Sequence, residues 1–178
     1  MTRRAVFLDL NGTLVMPVQV NSPDEYLPIP DCVEAVRLLN QAEFFCPVIT
    51  VQSRIEKAIY SEEAFLDWFS TLQAHFEAQN ATLLGPYVCP HRSASNCACH
   101  KPQPTLYLKA AEEWNIDCQR SFVVGDSIHD IRAGHAIGAK TCFVRTGWAS
   151  RYVSEFGHEA DFIGDSILTV AQWILKQN

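Results

Sequence analysis

Short apolar runs that alternate with helix-period segments constrain this chain more than any other feature. Residues 5–10 (AVFLDL), 44–50, 87–89, 121–125 and 140–145 read as buried strands. Between them, apolar residues recur three or four apart. Val33, Val36 and Leu39 mark one helix. Phe65, Trp68, Phe69, Leu72 and Phe76 mark a stronger one, entered through Ser61 with Glu62 and Glu63 in its first turn. Leu106, Ala110 and Trp114 follow Pro104, and 128–137 and 167–175 complete the set. Strands alternating with helices require crossover connections, which gives a parallel sheet with helices on both faces. The expectation is an α/β protein with a three-layer, Rossmann-like fold. At 178 residues, with no repeat and no linker, it reads as a single domain over 1–178.

Composition narrows the function. Fourteen basic against 20 acidic side chains leave a formal charge of −6, without the basic stripe of a nucleic-acid binder. No apolar run approaches the roughly 20 residues a bilayer crossing needs. The opening MTRRAVFLDL lacks a long apolar stretch and a small-residue cleavage site. A cytoplasmic monomer with a small-molecule partner, and neither nucleic acid nor membrane, is expected. Seven cysteines, an odd number without an export signal, argue against a disulfide framework.

In such sheets, ligands gather beyond the carboxyl ends of the strands. The first strand ends in Asp9-Leu10-Asn11-Gly12-Thr13-Leu14, the second in Thr50-Val51-Gln52-Ser53. Lys101-Pro102 precedes a helix, and a later strand ends in Gly125-Asp126-Ser127-Ile128-His129-Asp130. Each has an ordinary reading: Asn-Gly as a tight turn, a structural Thr, a solvated Lys, carboxylates that cap a helix. Together they form a complete chemical set. A carboxylate can attack phosphorus, and a hard cation such as Mg2+ on oxygen ligands supplies the countercharge. A lysine and a hydroxyl add charge and hydrogen bonds at the phosphoryl oxygens.

The order Asp-x-x-Gly-Thr-Leu, Thr-x-Gln-Ser, Lys-Pro, Gly-Asp-Ser-x-x-Asp resembles the four motifs of the haloacid dehalogenase (HAD) superfamily of phosphotransferases, over residues 7 to about 147. The resemblance implies a Mg2+-dependent phosphomonoesterase that forms an aspartyl phosphate. Asp9 is then the nucleophile, Thr50 the second-motif hydroxyl and Lys101 the phosphoryl-steadying cation. Asp9, the Asn11 backbone carbonyl and Asp126 would hold Mg2+, with Ser127 and Asp130 in support. The segments between Asp9, Thr50 and Lys101 are filled by a Pro-rich stretch, two helices and a cysteine loop, so no separate cap domain is expected.

That loop, residues 89–99, carries Cys89-Pro90-His91 and Cys97-Ala98-Cys99. Four residues of soft or borderline ligand type on one polar excursion match a closed Cys3His site for structural Zn2+. The competing reading is four unrelated residues packed near a strand end. A capless HAD-type phosphatase with this loop just before the motif-three lysine resembles one subfamily, the D-glycero-D-manno-heptose 1,7-bisphosphate 7-phosphatases and the similar histidinol-phosphate phosphatases. A small sugar bisphosphate is the implied substrate, with Gln52, Ser53, Arg54, Lys57 and His100 as candidate contacts.

The chain departs from that pattern at telling places. The resembling enzymes carry a second Asp where Asn11 stands, which protonates the leaving alcohol and then deprotonates water. A carboxamide exchanges no proton near neutral pH, and loss of one general acid/base group costs about 10²–10⁴ in rate. Val51 and Arg54 replace Asn and Gly of the second motif, and His100 replaces an Arg. Catalysis is therefore one expectation, and a catalytically silent phosphate- or partner-binding module on the same scaffold is the other.

Overall fold

The computed structural model describes residues 2–177. Its elements run β1 (Arg4–Leu8), β2 (Val15–Met16), β3 (Leu27–Pro28), α1 (Cys32–Gln41), β4 (Phe44–Phe45), β5 (Pro47–Val51), α2 (Ser53–Glu56), α3 (Glu62–Glu77) and β6 (Leu84–Cys89). There follow α4 (Thr105–Trp114), β7 (Phe122–Gly125), α5 (Ile128–Ala136), β8 (Lys140–Val144), α6 (Ala149–Phe156), β9 (Phe162–Gly164) and α7 (Ile167–Leu175). The main sheet has the order β6-β5-β1-β7-β8-β9, with β4 pairing β1, and every pairing in it is parallel. Strands β2 and β3 form a separate antiparallel ribbon.

Strand β1 shows why its sequence is apolar throughout. Side chains alternate across a strand, so Ala5 and Phe7 enter one core with Leu106, Tyr107 and Ala110 of α4. Val6 and Leu8 enter the other core, with residues of α1, α3 and α7. Both faces are covered, as a three-layer fold requires. The α3 stripe, Phe65, Trp68, Phe69, Leu72 and Phe76, is buried, and the Ser61 side chain accepts from the Ala64 amide as an N-cap.

The expected single strand over 44–50 is two pieces. Phe44 and Phe45 pair with Arg4 and Ala5, and the chain then re-enters as β5, which pairs β1 on one side and β6 on the other. Pro47 begins the second piece, where its missing N–H costs the ladder least. Strand β1 stops at Leu8, leaving 9 and 10 beyond the sheet. Helix α6 and strand β9 were not anticipated. Among the described residues no helix is long and apolar enough to cross a membrane. From β1 the strand order runs outward in both directions, so a crevice opens past its carboxyl end between β5 and β7.

Candidate active site

Asp9 leaves the end of β1 and points into that crevice, where its carboxylate Oδ1 accepts from Lys101 Nζ at 2.7 Å and Oδ2 from the Thr13 hydroxyl at 3.2 Å. Lys101 arrives from the loop before α4 and also donates to Asp130 Oδ1 at 2.7 Å. The ammonium is 5% exposed. Burial alone would pull it toward the neutral amine, but Asp130 and Asp9 outweigh burial and hold its pKa well above the ordinary lysine value. Burial pushes Asp9 up to about 6, Lys101 opposes that, and Asp130 adds to it.

Asp126, at the end of β7, accepts from the Trp148 amide at 2.6 Å. Burial first, then the Asp9 and Asp130 charges, push it up to about 8. Asp9, Asp126 and Asp130 each offer an oxygen within 4.8 Å of the others. Three crowded hard-oxygen donors, two of them pushed up in pKa by burial and by neighbouring carboxylates, fit a hard divalent cation. The backbone yields to these carboxylates. A Cβ at Gly12 would lie 2.2 Å from Asp126 Oδ2 and one at Gly147 2.0 Å from the same atom, and both glycines have positive φ. The Thr146 hydroxyl donates to the Gly12 carbonyl, tying the two loops together.

Residue 11 sits on the facing wall. The Asn11 amide Nδ2 donates to the Val18 carbonyl at 2.9 Å and to the Tyr26 hydroxyl at 2.5 Å. Its Oδ1 accepts from Gln52 Nε2 at 2.8 Å and from the Thr50 hydroxyl at 3.4 Å. Gln52 also donates to Thr50 and accepts from Tyr60 at 2.8 Å. Every group in this network is neutral. The carbonyl of Val18 faces a donor, so this wall is shaped for an amide or a protonated acid at position 11.

The cleft between the walls holds about 180 Å³, below the roughly 300–1,000 Å³ of drug-sized pockets. Asp9, Asn11, Lys101, Asp126 and Asp130 line it, together with Gln52, Ser53, Arg54, His100 and Ser127. Ser127 also accepts from the His129 amide as the N-cap of α5. Thr50 is buried behind Asn11, and exposed Lys57 stands outside the lining. Sequence reasoning missed Tyr26, Tyr60, His129 and Trp148, which also line the cleft.

The cysteine loop closes on itself beside Lys101. Cys89 Sγ lies 3.6 Å from Cys97 Sγ and 3.7 Å from His91 Nδ1, Cys99 Sγ lies 3.5 Å from Cys97 Sγ and 3.3 Å from His91 Nδ1. Metal–ligand arms of about 2.0–2.3 Å set tetrahedral vertices roughly 3.5–3.8 Å apart, so the spacing fits a four-ligand soft-metal site. It is far too long for a disulfide. Glu56 of α2 anchors the loop, accepting from the Arg92 amide at 2.6 Å and from Ser95 at 2.7 Å. Those hydrogen bonds, Ser95 first and then the Arg92 amide, hold the Glu56 carboxyl down at about 2.

Residues 98–170 match a family model described as HAD-hydrolase-like. Over 184 residues the chain is 34% identical to the D-glycero-beta-D-manno-heptose-1,7-bisphosphate 7-phosphatase of Haemophilus influenzae, covering 98% of this chain and 97% of that one. The enzyme of the same name from Neisseria meningitidis is 28% identical over 180 residues, covering 98% and 96%. Among solved structures, D,D-heptose 1,7-bisphosphate phosphatase from B. bronchiseptica, complexed with magnesium and phosphate, superposes with a TM-score of 0.90 at 23% identity, covering 98% and 99%. The motifs, the parallel sheet and full-length similarity agree, and the chain belongs to the HAD-type phosphatase family of the D-glycero-beta-D-manno-heptose-1,7-bisphosphate 7-phosphatases.

Proposed function

We propose that this chain is a Mg2+-dependent phosphomonoesterase acting on a small sugar bisphosphate such as D,D-heptose 1,7-bisphosphate, with turnover slowed by Asn11. The observation that carries the reading is Asp9, charge-paired with Lys101 at 2.7 Å and within reach of Asp126 in a cleft. A pure binding site does not require a buried carboxylate aimed at an anion, since that group repels phosphate unless a metal is present. Asp9 attacks the phosphoryl phosphorus, the ester oxygen leaves, and water later hydrolyses the aspartyl phosphate. Lys101 holds Asp9 oriented and balances charge on the phosphoryl oxygens, and Thr50 keeps Asn11 in place. Asp9, the Asn11 backbone carbonyl and Asp126 are the residues to hold Mg2+, which when bound supplies countercharge between carboxylate and phosphate. Cys89, His91, Cys97 and Cys99 would hold structural Zn2+ and fix the loop that delivers Lys101. The chain acts as a single capless domain, a cytoplasmic monomer.

Asn11 favours the second reading, a phosphate-binding module without turnover, because its amide donates hydrogen bonds but transfers no proton. Histidinol phosphate, another small phosphomonoester, is the alternative substrate. The test is Mg2+-dependent phosphate release from a panel of phosphomonoesters, for this chain and for Asn11→Asp. Release, strongest with the heptose bisphosphate, is expected. Tight phosphate binding with no release by either protein would favour the module.

A further inference from the structure

We propose that Arg54 is a second anion-binding point in this cleft, holding a phosphate at the far end of the substrate while the reacting phosphoryl group lies against Asp9. The inference rests on the sugar-phosphate reading above and identifies the residue that would select a bisphosphate over a monophosphate.

Arg54 follows Ser53 on α2, and its side chain lines the same cleft as Asp9 and Lys101. Its Nη1 donates to Asn21 Oδ1 at 3.2 Å and its Nη2 to Gln19 Oε1 at 3.3 Å. Both partners are uncharged amides from the loop between β2 and β3. Its Nε is buried with no hydrogen-bond partner. A guanidinium has five N–H donors, so most of this fork's capacity is uncommitted.

Its charge is uncommitted as well. Arg37, Arg92, Arg132 and Arg145 each meet a carboxylate. Lys101, the other lysine or arginine lining the cleft, meets two. Among the described residues no carboxylate comes within ion-pair distance of Arg54, in a chain with acidic side chains to spare. Two amides brace a planar fork at the cleft wall and leave its positive charge for a ligand. That is a preorganised receptor for an oxyanion, and a phosphate suits its paired donors.

The other candidates for this task offer less than a guanidinium fork. His100 turns Nδ1 to the carbonyl of Lys101 at 2.7 Å, and Lys57 stands outside the lining. The reacting phosphoryl group has Lys101 and does not need Arg54.

Two roles for Arg54 give different results. A residue that only fastens the β2–β3 loop would, when replaced, weaken all phosphate esters alike. A second anion point would weaken only esters that carry a second phosphate. D-glycero-D-manno-heptose 1,7-bisphosphate and the 7-monophosphate are titrated calorimetrically, with Ca2+ in place of Mg2+ and absence of phosphate release checked, into the unmodified chain, Arg54→Gln and Arg54→Lys, with melting curves confirming the fold. The expected result is a bisphosphate-over-monophosphate affinity ratio that falls about 10–100-fold in Arg54→Gln. Arg54→Lys, which keeps the charge but loses the fork, falls between. An unchanged ratio, including both affinities dropping together, overturns the proposal. Retained monophosphate binding with that unchanged ratio overturns Arg54 alone. No binding of either ester to the unmodified chain overturns the phosphatase reading with it.

Discussion

The wall of the cleft carrying Asp9, Lys101, Asp126 and Asp130 is built of buried charge, whereas the facing wall of Asn11, Gln52, Tyr26 and Tyr60 is built of neutral donors and acceptors. On the first, burial and the neighbouring charges shift Asp9, Asp126 and Lys101 from their ordinary values, and a divalent cation would complete the balance. On the second, burial raises both tyrosines above the ordinary phenol value, so they hold their protons more firmly than free tyrosine does. Neither replaces a carboxylic acid at position 11. On the function proposed above, the carboxylate that would attack phosphorus is in place, while a group to carry protons to the alcohol and from water is not.

The sharpest way to break this contrast is to remove Asp9, the nucleophile of the proposed reaction. Asp9→Asn is expected to lower phosphate release by at least about 10⁴-fold, with circular dichroism unchanged. Retained release would place the chemistry elsewhere. Next is Asn11→Asp, which should raise the rate on a sugar phosphate by about 10²–10⁴ and by less on p-nitrophenyl phosphate, whose leaving group needs no proton. Its pH–rate profile should acquire a falling limb absent from the unmodified chain. Equal gains on both esters would mean that residue 11 acts by geometry and not by proton transfer.

The charged wall also depends on the cysteine loop, since Lys101 lies two residues beyond Cys99. Cys99→Ser should drop bound zinc well below one per chain by metal analysis and cost about 2–4 kcal/mol, a fall in melting temperature of roughly 4–16 °C. The same low zinc content in unmodified protein purified without chelator would remove the Cys3His site.

The last effect concerns pH. Asp9 and Asp126 bind their protons more tightly folded than unfolded. In metal-free protein their contribution to stability is full below the unfolded carboxyl pKa. It is lost as pH rises through about 6 for Asp9 and about 8 for Asp126. Mg2+ favours the ionised forms, so its stabilising shift in melting temperature should grow from pH 5 to pH 8. A shift independent of pH would put the cation somewhere else.

The charged wall was far more legible in the sequence than the neutral one. Asp9, Lys101 and Asp126 stand at strand or helix boundaries with characteristic neighbours, and the fold brings such boundaries together. Tyr26, just before β3, and Tyr60, in the bend before α3, carry no periodic signal, and only tertiary packing sets them on Asn11 and Gln52. The partners of Arg54 were hidden for the same reason. The core strands and the α3 stripe were readable because each buries a regular face. Strand β9 is three residues ending in glycine, and α6 keeps only Tyr152, Val153 and Phe156 against the third apolar cluster, too little pattern to find. Pro47 marked a break in the 44–50 run that continuous hydrophobicity concealed.

The link from the Thr146 hydroxyl to the Gly12 carbonyl joins points 134 residues apart in the chain. The carboxylate at 126 is enclosed only when both loops have arrived. A chain folded only as far as the second loop would present Asp126 to solvent, so the contact between the two loops makes the cleft a late and cooperative product of folding.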